Sequence, residues 1–371
     1  MKKDDFHEKP FPESTRTKLD LYKGYLREWL PVFLNSPNLC STVQVYDFFA
    51  GPGTDAEGND ASPLIAIKEI EAALETSKER LSPKLRVRLL LNDRDKTKAD
   101  SLRETIGEKS FKYVTGGVDV QNKDFTELFA AENPTMRSKG TANLIFIDQF
   151  GISEVTKEIF ESMVSMPVTD IMFFTSSAIL NRMQQHPSIL SKIPSLSEED
   201  LEKMNGNNVH RILSRSYRNW LPSNCDYYIG DFSLKRMANV YGLVFGSHHI
   251  LGILKFLEIA WKLSKTGDAN YDIDGDHIDE KSPFLFPSMN KRTKIIDFEH
   301  RMMEFIQRKL FKTNFDILRF TVENGMLPRH ARDIFKKAIE ENELPKQSLG
   351  NLSRCWEKKH QQEIAYHGDV K

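Results

Sequence analysis

Apolar positions follow two alternating rhythms over the first two-thirds of the chain, and the alternation predicts a layered α/β protein. β-Branched and apolar runs predict strands at residues 43–47, 85–91, 111–115, 142–147 and 170–175. Apolar residues at three- and four-residue spacing predict the helices between them. Leu19, Tyr22, Tyr25, Leu26, Trp29, Leu30 and Phe33 form such a stripe over residues 17–34, ahead of the first strand. Leu64, Ile67, Ile70 and Leu74 form the next, with Ser62 as its expected N-cap and Pro63 in its first turn. Residues 227–234 and 239–246 read as an antiparallel hairpin closing the sheet edge, and an apolar helix follows from Ser247-His248-His249 to Leu263. Residues 181–222 interrupt the βα rhythm and read as an insertion facing a substrate.

From residue 291 the pattern changes. Residues 291–312 carry seven Lys or Arg against Asp297, Glu299 and Glu304, a local net of +4 on a helical repeat. Helices at 314–323 and 329–341 flank the turn Asn324-Gly325-Met326-Leu327-Pro328, the spacing of a helix-turn-helix or winged-helix unit. Arg329, His330, Arg332, Lys336 and Lys337 are then the set that would face a nucleic-acid groove or its phosphates, although such modules also dock proteins. The expected division is residues 1–265 as the sheet domain, 266–290 as a linker, 291–345 as the helical unit and 346–371 as a loosely ordered tail.

The candidate chemistry lies at the strand ends. The first strand runs into Asp47-Phe48-Phe49-Ala50-Gly51-Pro52-Gly53, where Gly51 and Gly53 can take positive φ and let a ligand lie against bare peptide. An acid before that turn suits a cationic or hydroxyl-rich ligand better than a pyrophosphate, and S-adenosylmethionine, with its amine, sulfonium and ribose hydroxyls, fits. Asp93, just past the second strand, is placed to accept from both hydroxyls of a ribose. The interval from Gly53 to Asp93 is longer than a dinucleotide fingerprint and favours a methyltransferase-like order. Asp119 is the corresponding candidate for an adenine edge. Asp148 and Phe150 follow the fourth strand, a carboxylate to accept from a substrate amine beside a ring to stack on a base, the arrangement that amino-group methylation of a nucleobase needs. The polar stretch 54–61 is read equally as a lid or a solvated connection.

The 371 residues carry a net charge of −1, so any nucleic-acid surface must be local. Cys40, Cys225 and Cys355 are isolated, which argues against a disulfide framework or a metal site and for a reducing compartment. His248-His249 and Asp272 to Asp276 lack metal-ligand spacing. No run approaches the ~20 apolar residues of a membrane span, so a cytoplasmic protein without a membrane partner is expected.

Taken together, the helix with Lys18, Tyr25 and Trp29, the stretch from Asp47 to Gly53, Ser62-Pro63-Leu64, Phe146-Ile147-Asp148-Gln149-Phe150-Gly151, the helix start at Phe245 to His249 and Gly325 to His330 resemble the three-Cys-motif partner family over most of the chain. The resemblance implies a class I methyltransferase-like Rossmann domain with a C-terminal winged-helix segment, in bacterial proteins encoded beside a three-cysteine radical-SAM-like partner. It also implies a part in DNA modification, repair or phage defence. Gln149 stands where the Asp-Pro-Pro-aromatic motif of amino-methyltransferases has proline. Two functions therefore fit the sequence, a SAM-dependent methyltransferase acting on nucleic acid and a non-catalytic DNA-binding or scaffold subunit that keeps the pocket.

Overall fold

The structure is a computed structural model and describes residues 10–11, 13–36, 38–148, 155–176, 214, 216–223, 225–236, 239–263 and 294–368. Gln149 and Phe150, residues 181–213 of the expected insertion and the expected linker 266–290 lie outside the described residues. The chain divides into two compact units, Met1–Ile259 and Ala260–Lys371.

The first unit is built on β1 (Thr42–Asp47), β2 (Arg86–Asn92), β3 (Thr115–Gln121), β4 (Thr141–Ile147), β5 (Thr169–Ser176), β6 (Tyr228–Arg236) and β7 (Asn239–Ser247). They form one sheet of order β3-β2-β1-β4-β5-β7-β6. The first five strands are parallel, whereas β7 is antiparallel to both β5 and β6. The expected hairpin is present, and its second strand is the inner one. This is a class I Rossmann-like order, in which the chain runs outward from β1 to β3 and then restarts at β4 on the other side of β1. The ends of β1 and β4 thus flank the switch point, where ligands of open α/β sheets bind.

Strand alternation assigns the two faces. Tyr46, Phe48, Ile145, Ile147, Ile171 and Phe173 join Phe125, Leu128 and Phe129 of α4 (Phe125–Met136) and Phe160 and Met163 of α5 (Lys157–Val164) in one buried cluster. On the opposite face α1 (Glu13–Leu34) crosses the sheet, with Tyr22 stacked on Phe146 at 4.3 Å and Tyr25 edge-on to Phe245 at 4.7 Å. Gly24 lets α1 meet α6 (Ile250–Leu263) closely, because a Cβ there would sit 2.8 Å from Ile259. Beside α1 lies α2 (Ser62–Ser77), while α3 (Lys96–Ile106) follows β2.

Two local expectations differ. The third strand is Thr115–Gln121, not 111–115, because Tyr113 takes a φ of 69° and breaks the extended run. Gly116 and Gly117 belong to the strand interior; a Cβ at Gly116 would lie 1.9 Å from the Val87 carbonyl oxygen, so only glycine permits that pairing. Ser62 is not the N-cap of α2. Ala61 holds that place without a side-chain hydrogen bond, and Ser62 is the first helical residue.

The second unit contains α7 (Lys294–Gln307), α8 (Asn314–Glu323) and α9 (Pro328–Glu340) around Phe298, Met302, Ile317, Leu318, Val322, Ile334 and Phe335. Thr313 and Asp316 form a capping box for α8, and Gly325, at φ 69°, makes the turn into α9. The segment expected to be a loose tail is packed: Leu349, Leu352, Ile364 and Tyr366 are buried, and the Asn314 side chain donates to the carbonyls of Leu349 and His360. Beyond α9 the described residues form two 3-10 turns and one bridge, Thr313 to Glu363, rather than a wing hairpin.

Candidate functional site

The carboxyl ends of β1, β2 and β4 come together as the switch point requires. Gly51 and Gly53 take φ of 66° and 97°, so the turn after β1 has the backbone the sequence demanded. Gly53 serves packing as well, since a Cβ there would meet Leu102 of α3 at 2.9 Å. The stretch 54–61, read equally as a lid or a solvated connection, is closed on itself by an antiparallel bridge between Thr54 and Asp60. Its organiser is Asp55, which accepts from the backbone N–H groups of Phe11, Glu57 and Asn59 and from the Asn59 amide. Burial opposes the Asp55 charge, but those donors hold its carboxyl at about 2.

Asp93 is joined to the glycine turn. One carboxylate oxygen accepts from Gly51 N at 3.0 Å and the other from Asp95 N at 2.8 Å, where the chain turns into α3. Asn122 donates to the Asp93 and Arg94 carbonyls, and Asn92 to those of Phe48 and Lys123. Asp119 is placed differently from Asp93. It lies inside β3, two residues before the strand's end, bound to Arg88 at 2.8 Å and to the Gln121 amide at 2.6 Å, and Arg88 also pairs with Glu132. Asp119 thus stands in a charge network along the strand, not beside Asp47 and Asp93.

Asp47 is fully buried under α1. One of its oxygens accepts from Phe49 N at 3.2 Å, and Oδ2 has no hydrogen-bond partner among the described residues. Burial pushes its carboxyl up to about 7, against the pull of the nearby Ser62 hydroxyl and the Phe49 N–H; the Asp148 charge adds to the rise and Lys18 opposes it. The Tyr22 hydroxyl, also buried and without a hydrogen-bond partner among the described residues, faces the same charge. Asp148, just past β4, is ion-paired with Lys18 of α1, whose ammonium also lies 4.7 Å from the Phe174 ring centroid. Lys18 is 6% exposed. It is not among the expected site residues, and the signal that could have found it is a lysine inside the buried stripe that continues through Tyr22, Tyr25 and Trp29.

At the amino edge of the sheet, Tyr25 donates to Asp170 at 2.6 Å, and burial raises the Asp170 carboxyl to about 6. In the second unit, Arg329, Arg332, Lys336 and Lys337 are exposed on α9. Lys337 is ion-paired with Glu299, and Lys336 approaches Glu340 at 3.6 Å. His330 is partly buried and caps α9, accepting from Leu327 N through Nδ1 at 3.1 Å. Among the described residues no group of three His, Cys, Asp or Glu could hold a metal, and no helix is long and apolar enough to cross a membrane.

No family model matches this sequence, and no curated protein is similar to it. Among solved structures it is similar to the O-methyltransferase TomG from Streptomyces achromogenes, in complex with SAM, at 11% identity over 64% of this chain and 90% of that one, with a TM-score of 0.31. It is also similar to Trm1 from Pyrococcus horikoshii, in complex with S-adenosyl-L-methionine, at 14% identity over 66% of this chain and 58% of that one, with a TM-score of 0.34. An O-methyltransferase from Bacillus cereus in complex with SAH gives 11% identity over 61% of this chain and 80% of that one, with a TM-score of 0.33.

Proposed function

We propose that the crevice at the ends of β1, β2 and β4 binds S-adenosylmethionine and that the chain is a methyltransferase acting on an amino group of a nucleic acid. The observation that carries the cofactor reading is Asp47, a buried carboxylate with one oxygen that has no partner among the described residues, set beside a left-handed glycine turn that Asp93 braces. A cationic amine is the ligand group that satisfies such an oxygen. Asp93 offers carboxylate acceptors to a ribose, and the Gly51 turn presents bare backbone. Bound there, S-adenosylmethionine supplies a methyl group activated on a sulfonium. The protein's task is then to hold the acceptor in line, keep water out and receive hydrogen bonds from the amine at Asp148.

The nucleic-acid target is supported by the exposed Arg329, Arg332 and Lys336 on α9, which follows a glycine turn as a recognition helix does. A three-cysteine radical-SAM-like protein as partner rests on the sequence resemblance, as does a winged-helix identity for the second unit. One observation favours a second function, that of a non-catalytic scaffold. The Asp148 carboxylate is already taken by Lys18, so an incoming amine must share or displace that ammonium.

Transfer of labelled methyl groups to a pool of single-stranded and duplex DNA and RNA, with and without the partner, separates the two. A methyltransferase labels one pool and loses the labelling by orders of magnitude in Asp148→Ala, with cofactor binding retained. A scaffold binds cofactor and nucleic acid and labels neither pool.

A further inference from the structure

The second unit holds a groove of about 210 Å³ between α9 and residues 347–350. On the helix side it is bordered by Arg332, Phe335, Lys336 and Ile339, whose three- and four-residue spacing puts them on one face of α9. Phe335 and, from across the groove, Leu349 are buried and form its apolar floor, while Arg332 and Lys336 are exposed at its rim. The opposite wall is held from behind. Gln347 donates to the Ala365 carbonyl at 2.7 Å and accepts from Ala365 N at 2.9 Å, and Asn314 donates to the Leu349 carbonyl at 3.1 Å. A wall fixed in advance needs no ordering when a ligand arrives. The segment expected to be a loose tail therefore builds one side of the groove.

The charge on the rim is not spent within the fold. Arg301, Arg308, Arg319 and Arg354 are ion-paired, and Arg329 donates to His330. Arg332 is the one described arginine of this unit with neither a hydrogen bond nor an ion pair among the described residues. Lys336, its side chain 79% exposed, reaches Glu340 only at 3.6 Å. Arg329, Arg332 and Lys336 together span about 10 Å of the helix axis, a row that suits successive phosphates better than a single carboxylate. We propose that this groove takes one unstacked base of a single-stranded nucleic acid, with the flanking phosphates on Arg332 and Lys336. The inference rests on the nucleic-acid reading of α9 and adds the strand state to it. A duplex keeps its bases stacked and offers the rim its phosphates alone, whereas a single strand can turn a base onto the apolar floor. A single strand also leaves a target amine accessible without the cost of flipping it out of a stack.

The test is fluorescence anisotropy of the full chain with a labelled mixed-sequence single strand, the same strand made abasic over its central part, and its duplex. The intact single strand should bind about 5- to 150-fold tighter than the other two at equal salt, the range of one base stacked on a protein surface. Ser348 is exposed on the wall, so Ser348→Phe fills the groove without removing a cation. It should bring the intact strand down to the abasic one and leave the abasic strand within about 2-fold of wild type. Arg332→Ala should weaken all three ligands alike. Circular dichroism checks the folding of both variants, and the wild-type comparison needs neither. Equal binding of intact and abasic strands by wild type, or an unchanged preference in Ser348→Phe, overturns the inference while leaving phosphate binding by α9 intact. A glutamate-rich peptide of the same net charge that displaces the strand as well as unlabelled strand does would assign the groove to a protein partner and overturn it too. Absence of binding by all three oligonucleotides at low salt overturns the nucleic-acid reading of α9 and the inference with it.

Discussion

Asp47 links the stability of the protein to its ligand. Its carboxyl is raised to about 7 in the fold, so the fold binds that proton more tightly than the unfolded chain does. The resulting stabilisation is complete below the ordinary carboxylate range and is lost as pH rises through 7. Asp170, raised to about 6 at the other edge of the sheet, acts with the same sign. Asp55, held at about 2, acts oppositely, and its contribution disappears only in strong acid. Ligand-free protein should therefore become less stable between pH 5 and pH 8 in denaturant titrations. Asp47→Asn should flatten part of that slope and be more stable than wild type at pH 8, by roughly 1–3 kcal/mol, since each tenfold change in proton affinity is worth about 1.4 kcal/mol. An Asp47→Asn variant that is destabilised equally at every pH would contradict a charged carboxylate buried with one oxygen lacking a donor.

At the scale of elements, the strands that build the crevice were legible because each is a mostly apolar, β-branched or leucine-rich run with an acid at or just past its end. β1, β2 and β4 are buried along most or all of their length, so the hydrophobic run and the strand coincide. β3 was not legible. Its two glycines look like a turn, and the reasons they are needed, the close Val87 carbonyl at Gly116 and the Lys109 carbonyl at Gly117, belong to other segments of the chain. The inward lysine of α1 was visible as a residue but not as a partner of Asp148, since 130 residues separate them and only the sheet order brings β4 beneath the helix. The packed segment after α9 was hidden for a similar reason, because its few buried residues are widely spaced and are clasped by Asn314 from α8. The glycine turn itself makes a prediction. Gly53→Ala must hold alanine at φ 97° against Leu102 and should cost about 1–3 kcal/mol in denaturant unfolding. A neutral result would mean that the turn relaxes freely and cannot be the rigid cradle described.

The whole molecule carries a net charge of −1, so it has no general attraction for a polyanion, and nucleic-acid binding must rely on a local surface. On α9 that surface is smaller than the sequence suggested, since His330 is spent on capping and Lys337 on Glu299. The full chain should bind duplex DNA weakly and with steep salt dependence. Arg329→Ala with Arg332→Ala should weaken it more than Lys337→Ala, which also releases Glu299 from its ion pair. Retardation of labelled duplex across a salt series checks this, and equal loss in all three positions would place the surface elsewhere.

The claim on which the rest depends is that the crevice binds S-adenosylmethionine through Asp47, and calorimetric titration of that ligand into the full chain at pH 6.5, in two buffers of different ionisation heat, tests it most directly. A cationic amine on Asp47 favours the carboxylate, so binding should saturate at one site and release up to about one proton, and Asp47→Asn should lose both the affinity and the proton. Binding without proton release, or no heat at all from ligand or demethylated product, would contradict it.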